Sequence, residues 1–312
     1  MSNSVFIKGF SYQIGEIVHN IENYPELKDD YELLSHFQQA GLKEFWVSNS
    51  SPLFLAKGAI KKSLNSIETS AKKIDAIFYA TSSFWQDDFH SQQSICELMI
   101  ELGLTQAYPI GITFSFCGNF LIALSTAWQA LRSEQFKNVL VITTDKLSDN
   151  ASRIVPPKIS IASDAASCCF LSTEEFSSWS LERPYLHFDS QLGIMDTSVQ
   201  FTDYMQGVAK GITRTISGAL NQAQVQVGDI NKVITNNYNK WVTPSMLRLG
   251  GIESHQVYLD NIPYFGHAGS ADVALNLSEF LPSMDGKSAN NLLLLSSGPM
   301  MWGSSVMLHK EY

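Results

Sequence analysis

The chain has 312 residues, of which 45% are hydrophobic and 16% are charged, and its formal net charge is −9 at pH 7. This is the composition of an ordinary globular protein, and the length predicts two domains or two fused halves. The balance of 30 acidic to 21 basic residues argues against a nucleic-acid-binding surface, which requires clustered Lys and Arg.

Three further observations concern the cellular compartment. No uncharged apolar segment reaches the ~20 residues that a membrane-spanning helix requires. The N-terminal residues lack the charged and apolar regions of a signal peptide. The four cysteines match no zinc-site spacing, and so low a number fits a reducing environment. We therefore expect a cytoplasmic protein that has no membrane or nucleic-acid partner and no metal site.

The two halves of the chain follow a similar order of predicted elements. In each half a helical segment precedes one apolar strand, and two further apolar strands follow later. In the first half these segments are 53–65, 74–81, 138–144 and 166–171. In the second half they are 204–224, 230–235, 291–297 and 305–309. Two such halves, each with a buried sheet between helices, predict a layered α/β protein.

Cys117 stands between the predicted strand and helix patterns of the first half. An apolar run from Ile112 leads to this cysteine, and Phe120, Leu124 and Trp128 then recur at helical spacing. A thiol at the N-terminus of a helix is stabilised as a thiolate by the helix dipole and the free N–H groups. Such a thiolate can attack a thioester and hold the acyl group covalently. The alternative is a buried cysteine that acts as a small hydrophobic residue.

Three segments of the second half carry groups that could act with this thiol. Asn236 and Asn239 follow an apolar strand, where amides either form a turn or donate hydrogen bonds. His267 lies between small residues that leave space around it, although a single histidine is often structural. The segment from Gly298 to Gly303 is predicted as a turn whose N–H groups bind an oxyanion, or alternatively as a simple hairpin.

The order of these segments resembles the thiolase superfamily, and in particular β-ketoacyl-ACP synthase III. The resemblance spans about residues 1–310 and is clearest at 75–172 and 204–309. It implies a five-layered αβαβα fold of two duplicated halves, residues 1–172 and 173–312, and a homodimer. It also implies an acyl thioester of CoA or of acyl carrier protein as substrate, with no separate cofactor.

One departure from synthase III concerns the residues that accompany the nucleophile. Synthase III enzymes usually carry a Cys-His-Asn triad, in which the His begins a His-Gln-Ala-Asn run. Here Asn236 stands at the position of that His and His267 at the position of the Asn, so the two residue types are exchanged. The exchanged order is similar to that of the thiolases. It predicts an active enzyme, although a catalytically inactive partner subunit in a heterodimer with a homologue remains the alternative.

The resemblance implies a mechanism for these residues. Cys117 takes the acyl group, His267 and Asn236 assist the reaction, and N–H groups of Cys117, Gly298 and Gly303 bind the oxyanion. The acceptor is either a carbon nucleophile, in a Claisen condensation, or a hydroxyl or amine. A histidine base suits the latter, because that acceptor must lose a proton near neutral pH. By analogy, we expect a role in specialised-metabolite, polyketide-like or fatty-acid-like biosynthesis.

The residues that line the entrance for the CoA or carrier-protein arm in this family have only weak matches in this sequence. The family usually places Trp and Arg side chains there. Trp46, Trp85 and Arg153 are the candidates in this chain, and Asn239 is a fourth candidate for substrate binding.

Overall fold

The computed structural model describes residues 4–67, 69–84, 90–174, 177–284 and 289–310. The helices are α1 Pro25–Lys28, α2 Tyr31–Gln39, α3 Pro52–Ile67, α4 Gln92–Glu101, α5 Asn119–Arg132, α6 Phe201–Ala223, α7 Val242–Arg248, α8 Ile262–Phe265 and α9 Asp272–Phe280. The strands are β1 Val5–Ile14, β2 Ile17–Asn20, β3 Glu44–Val47, β4 Ala76–Ala80, β5 Tyr108–Ile112, β6 Asn138–Asp145, β7 Ile154–Val155, β8 Ser160–Ile161, β9 Ala165–Ser172, β10 Trp179–Leu181, β11 Tyr185–Phe188, β12 Lys232–Ile234, β13 Asn291–Ser297 and β14 Met301–His309.

Most strands belong to one sheet, in which the same pairing pattern occurs twice. The strand order is β12-β13-β14-β10-β1-β9-β6-β4-β5, and β11 pairs with β14. In the first half β4 pairs in parallel with β5 and β6, whereas β6–β9 and β9–β1 are antiparallel. In the second half β12–β13 is parallel, and β13–β14 and β14–β10 are antiparallel. The two patterns meet where β1 pairs with β10.

The repeat is shorter in the second half. The place that β5 occupies beside β4 corresponds to a single parallel bridge between Val233 of β12 and Val257. The duplicated arrangement predicted from the sequence is therefore visible in the sheet. A division into units 1–172 and 173–312 remains our proposal.

Three layers of helices cover the strands of the two halves, one layer between the halves and one on the outer face of each. Helices α5 and α9 lie in the middle, where Phe120 and Leu124 of α5 and Val273 and Leu277 of α9 join a core with strands of both halves. Helices α3 and α4 cover the outer face of the first-half strands. Helices α6 and α7 cover the outer face of the second-half strands. This arrangement is the predicted five-layered αβαβα architecture.

The apolar runs become strands because both faces of the sheet are covered. All residues of β4 and β9 are buried, as are nearly all of β6 and β13, so the sequence shows continuous apolar runs rather than alternation. The predicted helices 53–65 and 204–224 correspond to α3 and α6. In the described part of the chain, every helix is too short or too polar to cross a membrane.

Candidate active site

The nucleophile turn, residues 113–118, connects β5 to α5. Cys117 lies in a short 3-10 turn directly before the first residue of α5, as the sequence pattern predicted. Phe114 and Phe116 have positive φ angles of 74° and 46°, which non-glycine residues adopt at a cost of about 1–3 kcal/mol each. Asn119 stabilises the turn by accepting a hydrogen bond from the Ser115 N–H at 3.1 Å.

The environment of Cys117 differs from that of the buried cysteines. Cys117 is partly exposed, whereas Cys168 and Cys169 of β9 are fully buried. Burial raises the pKa of Cys168 to about 12 and raises the pKa of Cys169 as well, so both thiols stay protonated and inert. Cys117 therefore has the access that a nucleophile requires, and it lies at the positive end of α5.

His267 comes from the second half and is held by backbone groups of the first half. Its N–H donates to the Ile161 carbonyl at 2.8 Å, and its carbonyl accepts from the Ser163 N–H at 2.9 Å. Gly266 has a φ of 54°, and a Cβ there would lie 2.6 Å from the Ile161 carbonyl oxygen. The glycine thus permits close backbone packing, and His267 is only 3% exposed. The open space that we predicted around His267 is absent among the described residues.

The structure brings Cys117, His267 and Asp272 into one chain of contacts. The Cys117 Sγ lies 2.9 Å from Nε2 of His267. Nδ1 of the same ring lies 2.5 Å from Oδ2 of Asp272, the first residue of α9. The Asp272 carboxylate also accepts the backbone N–H groups of Asn237 at 2.8 Å and of Ala268 at 2.7 Å. These contacts orient the imidazole with one nitrogen toward the sulfur and the other toward the carboxylate.

The charges at the site favour a protonated imidazole. Burial disfavours the charged ring, but the negative charges of the Cys117 thiolate and of Asp272 outweigh it and raise the pKa of His267 well above its ordinary value. A thiolate paired with an imidazolium is a nucleophile with an acid beside it.

Asn236 lies beside this chain of contacts, with its amide engaged by protein groups. Its Oδ1 accepts the Ser297 N–H at 2.8 Å. Its Nδ2 makes long contacts of 3.4 Å to the Gly269 carbonyl and 3.5 Å to Asp272 Oδ2. Asn236 therefore contacts the partner of His267, while its acceptor atom is held by the end of β13.

Neither predicted glycine offers a free N–H to an oxyanion. The Gly298 N–H donates to the Met301 carbonyl at 2.7 Å. Gly303 lies within β14, opposite Ser296 of β13 and Leu186 of β11, because that strand begins at Met301 rather than after the predicted turn. Their role is steric, since a Cβ at Gly298 would lie 2.5 Å from the Ser115 carbonyl oxygen. Among the described residues, no hydrogen bond engages the Cys117 N–H.

Two of the predicted substrate-binding residues are structural. Arg153 is 7% exposed and pairs with the buried Asp164 through two contacts of 2.9 and 3.1 Å, so its guanidinium is not available to a phosphate. Asn239 is fully buried. Its Oδ1 accepts the N–H groups of Trp241 and Val242 at the start of α7.

The two tryptophan candidates have different outcomes. Trp46 is half-buried in β3, and its indole N–H donates to the Tyr264 carbonyl at 2.8 Å. This contact supports the segment before His267, and a role of Trp46 in substrate binding stays a prediction. Trp85 lies outside the described residues, so its predicted role in substrate binding stays a prediction.

Sequence reasoning missed Asp272 and Tyr238. Asp272 follows His267 by five residues and begins a helix, a position where a carboxylate is favoured by the helix dipole. That spacing could have indicated, from the sequence, that Asp272 is a partner of His267. Tyr238 packs its ring 5.0 Å from the His267 ring, and nothing in its local sequence indicated this contact. Within the described ranges, no group of His, Cys, Asp and Glu residues is arranged to hold a metal ion.

Comparisons of the sequence with known proteins point to one enzyme family. Residues 114–187 match the sequence profile of the family described as 3-oxoacyl-[acyl-carrier-protein (ACP)] synthase III. The β-ketoacyl-[acyl-carrier-protein] synthase III of Staphylococcus haemolyticus is 25% identical to this chain, over 97% of the chain and 98% of the relative. The similarity therefore extends over both halves.

Comparisons of the structure support the same fold. A solved protein named ChlB3 and described as an acyltransferase has a TM-score of 0.83 at 16% identity, covering 98% of each chain. The 3-oxoacyl-(acyl carrier protein) synthase III of Pseudomonas aeruginosa has a TM-score of 0.80 at 17% identity, covering 99% of each chain. The predicted thiolase-like fold is confirmed.

Proposed function

We propose that this chain is a β-ketoacyl-ACP synthase III-like acyltransferase of the thiolase superfamily, and that it transfers an acyl group from a thioester to a hydroxyl or amine through an acyl-Cys117 intermediate. The observation that carries this proposal is the contact chain Cys117–His267–Asp272. A carboxylate that orients an imidazole beside a nucleophile is the arrangement that hydrolases and acyltransferases use for proton transfer.

The first half-reaction is acylation of the cysteine. The Cys117 thiolate attacks the thioester carbonyl carbon, and the Cys117 N–H donates to the oxyanion that forms. As the carbon–sulfur bond to the donor breaks, the His267 imidazolium delivers its Nε2 proton to the departing thiolate. The products are a free thiol and an acyl-enzyme with a neutral imidazole.

The second half-reaction uses the same nitrogen as a base. Nε2 of the neutral His267 accepts the proton of the acceptor O–H or N–H while the acceptor attacks the acyl carbon. The bond to Cys117 breaks and the thiolate returns, paired again with the imidazolium. Asp272 stabilises that imidazolium at its Nδ1 and holds the ring in place.

The arrangement of Asn236 favours this reaction over a Claisen condensation. The usual synthase III condensation uses a His and an Asn together to stabilise an enolate. Here one ring nitrogen of His267 faces Asp272, and the Oδ1 of Asn236 is held by the Ser297 N–H. The imidazole is thus arranged to move a proton to and from the acyl donor and acceptor. Transfer to a carbon acceptor is the alternative reaction of the same intermediate.

We further propose the setting of the reaction. The donor is an acyl-CoA or an acyl carrier protein, the protein acts in the cytoplasm as a homodimer, and the product belongs to specialised-metabolite biosynthesis. ChlB3, a structural neighbour described as an acyltransferase, shares the fold on which this proposal builds.

Intact-mass analysis tests the covalent step. We expect the wild-type protein to gain the mass of one acyl group from acyl-CoA or acyl carrier protein, and Cys117→Ala to gain none. Cys96→Ala removes an exposed thiol outside the site and is the matched control, which should still be acylated. A wild-type protein that is never acylated would instead support the inactive partner subunit.

The fate of malonyl-CoA labelled in its carboxyl carbon separates the two reactions. Acyl transfer to a hydroxyl or amine keeps the labelled carboxyl intact, either in unused malonyl-CoA or in a malonyl group passed to the acceptor, whereas a decarboxylative condensation releases it as carbon dioxide. Release of the label in step with product formation would replace our proposal with the Claisen reaction.

A further inference from the structure

Tyr238 borders the His267 imidazole on one side. The two ring centroids lie 5.0 Å apart with an interplanar angle of 41°. The phenol group donates to the Ser297 carbonyl at 2.8 Å and lies 3.0 Å from the Ser297 hydroxyl, and the residue is 9% exposed. Burial and the charge of the nearby Cys117 thiolate raise the pKa of Tyr238, which keeps the phenol neutral. The ring is therefore a fixed wall of the active site.

A small cavity lies along the same side chain. It is bordered by Tyr238, by Thr235 and by residues of α6, α7 and β13, of which Ile212, Met246, Leu247 and Leu295 are apolar. Its volume is about 10 Å³, which accommodates one water molecule at most. Thr243 also lines it, and its buried hydroxyl has no hydrogen-bond partner among the described residues. This space is thus an incompletely filled gap in the core.

We propose that Tyr238 is a specificity-determining residue that separates the acyl-enzyme from this mostly apolar space and so restricts the acyl group to short chains. The inference rests on the proposed function, because it assumes an acyl group on Cys117. A chain that extends from the acyl carbon past the imidazole on this side meets the Tyr238 ring. Without the ring, the chain would reach the apolar walls of the cavity.

The geometry assigns the restriction on acyl-chain length to a single side chain, that of Tyr238. The acyl carbonyl must lie beside both Sγ and Nε2, which are 2.9 Å apart, so the chain begins next to the His267 ring. Tyr238 contacts that ring and the Ser297 residue that also lines the cavity. Replacing the ring by a small side chain therefore joins the active site to the cavity, whereas losing the hydroxyl alone does not.

The test compares acylation of Cys117 by acetyl- and hexanoyl-pantetheine, which carry the arm common to CoA and carrier protein. We expect Tyr238→Ala to raise the ratio of hexanoyl to acetyl acylation rates at least about tenfold, a change typical of added room in an apolar pocket. Tyr238→Phe keeps the ring and should keep the wild-type ratio. Should Tyr238→Ala fail to fold, Tyr238→Leu is measured in the same way and is expected to raise the ratio less.

Tyr258→Ala is the matched control for general loosening of the core. Tyr258 is 7% exposed in the same half and packs against Phe280 at 5.3 Å rather than against His267. An unchanged ratio in Tyr238→Ala and Tyr238→Leu, or an equal rise in Tyr258→Ala, would overturn the inference. Absence of acylation of the wild-type protein by either thioester would overturn the proposed function instead.

Discussion

Asp272 is the residue on which the electrostatics of the site depend. Its two carboxylate oxygens accept backbone N–H groups of Asn237 and Ala268 in addition to the contact with His267. Because these N–H groups come from two separate loops, the carboxylate holds both loops in position around the imidazole. Its negative charge is also one of the two that raise the pKa of His267.

Replacing Asp272 should therefore change the pH dependence of acylation as well as its rate. Asp272→Asn removes the negative charge, so the pKa of His267 should fall and the imidazolium should deprotonate at lower pH. Since the imidazolium protonates the departing thiolate, the alkaline limb of kcat/KM should move to lower pH, and the rate should fall ~10²-fold. The measurement is the pH profile of acyl-enzyme formation.

Asp75→Asn is the control for this variant. Asp75 also accepts two backbone N–H groups, those of Lys137 and Asn138, but it lies at the opposite ends of β4 and β6 from the site. This change should leave the pH profile unaltered. An alkaline limb in Asp272→Asn that coincides with the wild-type limb would show that Asp272 has no electrostatic role.

At the scale of elements, the loop before β9 connects the two halves at the active site. The Ser163 hydroxyl donates to the Phe265 carbonyl at 2.6 Å, and the adjacent backbone pairs with His267. Next to it, the Asp164 carboxylate accepts the N–H groups of Ser48 and Leu147 and forms the ion pair with Arg153. This loop therefore ties β3, β6 and the His267 segment together.

Removing Arg153 should destabilise the protein strongly. Arg153→Met leaves the buried Asp164 carboxylate without its counter-charge, and breaking a buried pair in this way costs about 3–5 kcal/mol. Chemical denaturation followed by circular dichroism measures the loss. Acylation by saturating donor should decline as well, because the loop that carries His267 loses its support.

Lys146→Met provides the comparison for a surface pair. Lys146 lies 3.2 Å from Asp149, whose side chain is almost fully exposed, so this change should cost less than about 1 kcal/mol. If the two variants lost equal stability, the buried Arg153–Asp164 pair would contribute no more to the free energy of unfolding than the surface pair.

The burial of the strands explains why apolar sequence patterns predicted them. The runs that became β6, β9 and β13 are apolar along their length because both faces of each strand are covered. The predicted turn ended at Gly303, which was wrong because β14 already begins at Met301, where pairing with β13 and β11 extends the strand. Local patterns thus predict the interior of an element more reliably than its ends.

At the scale of the whole molecule, β5 is an exposed edge of the sheet. It pairs with β4 on one side, and no strand within the described ranges covers its other side. Tyr108 at its start is 65% exposed. An uncovered edge strand with apolar side chains is a site for pairing with another chain. The proposed homodimer would cover this edge.

Light scattering after size exclusion tests the dimer. We expect a mass twice the 34.7 kDa of the chain. Tyr108→Glu should shift the protein toward the monomer, since a charge on the edge strand opposes pairing. Tyr31→Glu, at an 80% exposed tyrosine of α2, should leave the mass unchanged. A monomeric wild-type protein, or a Tyr108→Glu variant that dimerises equally well, would contradict this assignment of the interface.

Several features of this protein follow from local sequence. The position of Cys117 at the start of a helix, the buried strands and the repeated order of elements depend on residues close together in the chain, so periodicity and turn residues reveal them. His267 and Asn236 were proposed from their local surroundings, and the family resemblance then assigned them as partners of Cys117 through their order along the chain. Those assignments required no knowledge of distances.

Other features were decided only by folding. Cys117 and His267 are separated by 150 residues, and their contact exists because loops of both halves meet above the sheet. The same folding buries Arg153 against Asp164 and Asn239 against α7, although each resembled a binding residue in isolation. Whether a polar side chain binds a substrate or satisfies a buried partner depends on what packs around it. Contacts between distant segments decide that, and no local pattern encodes them.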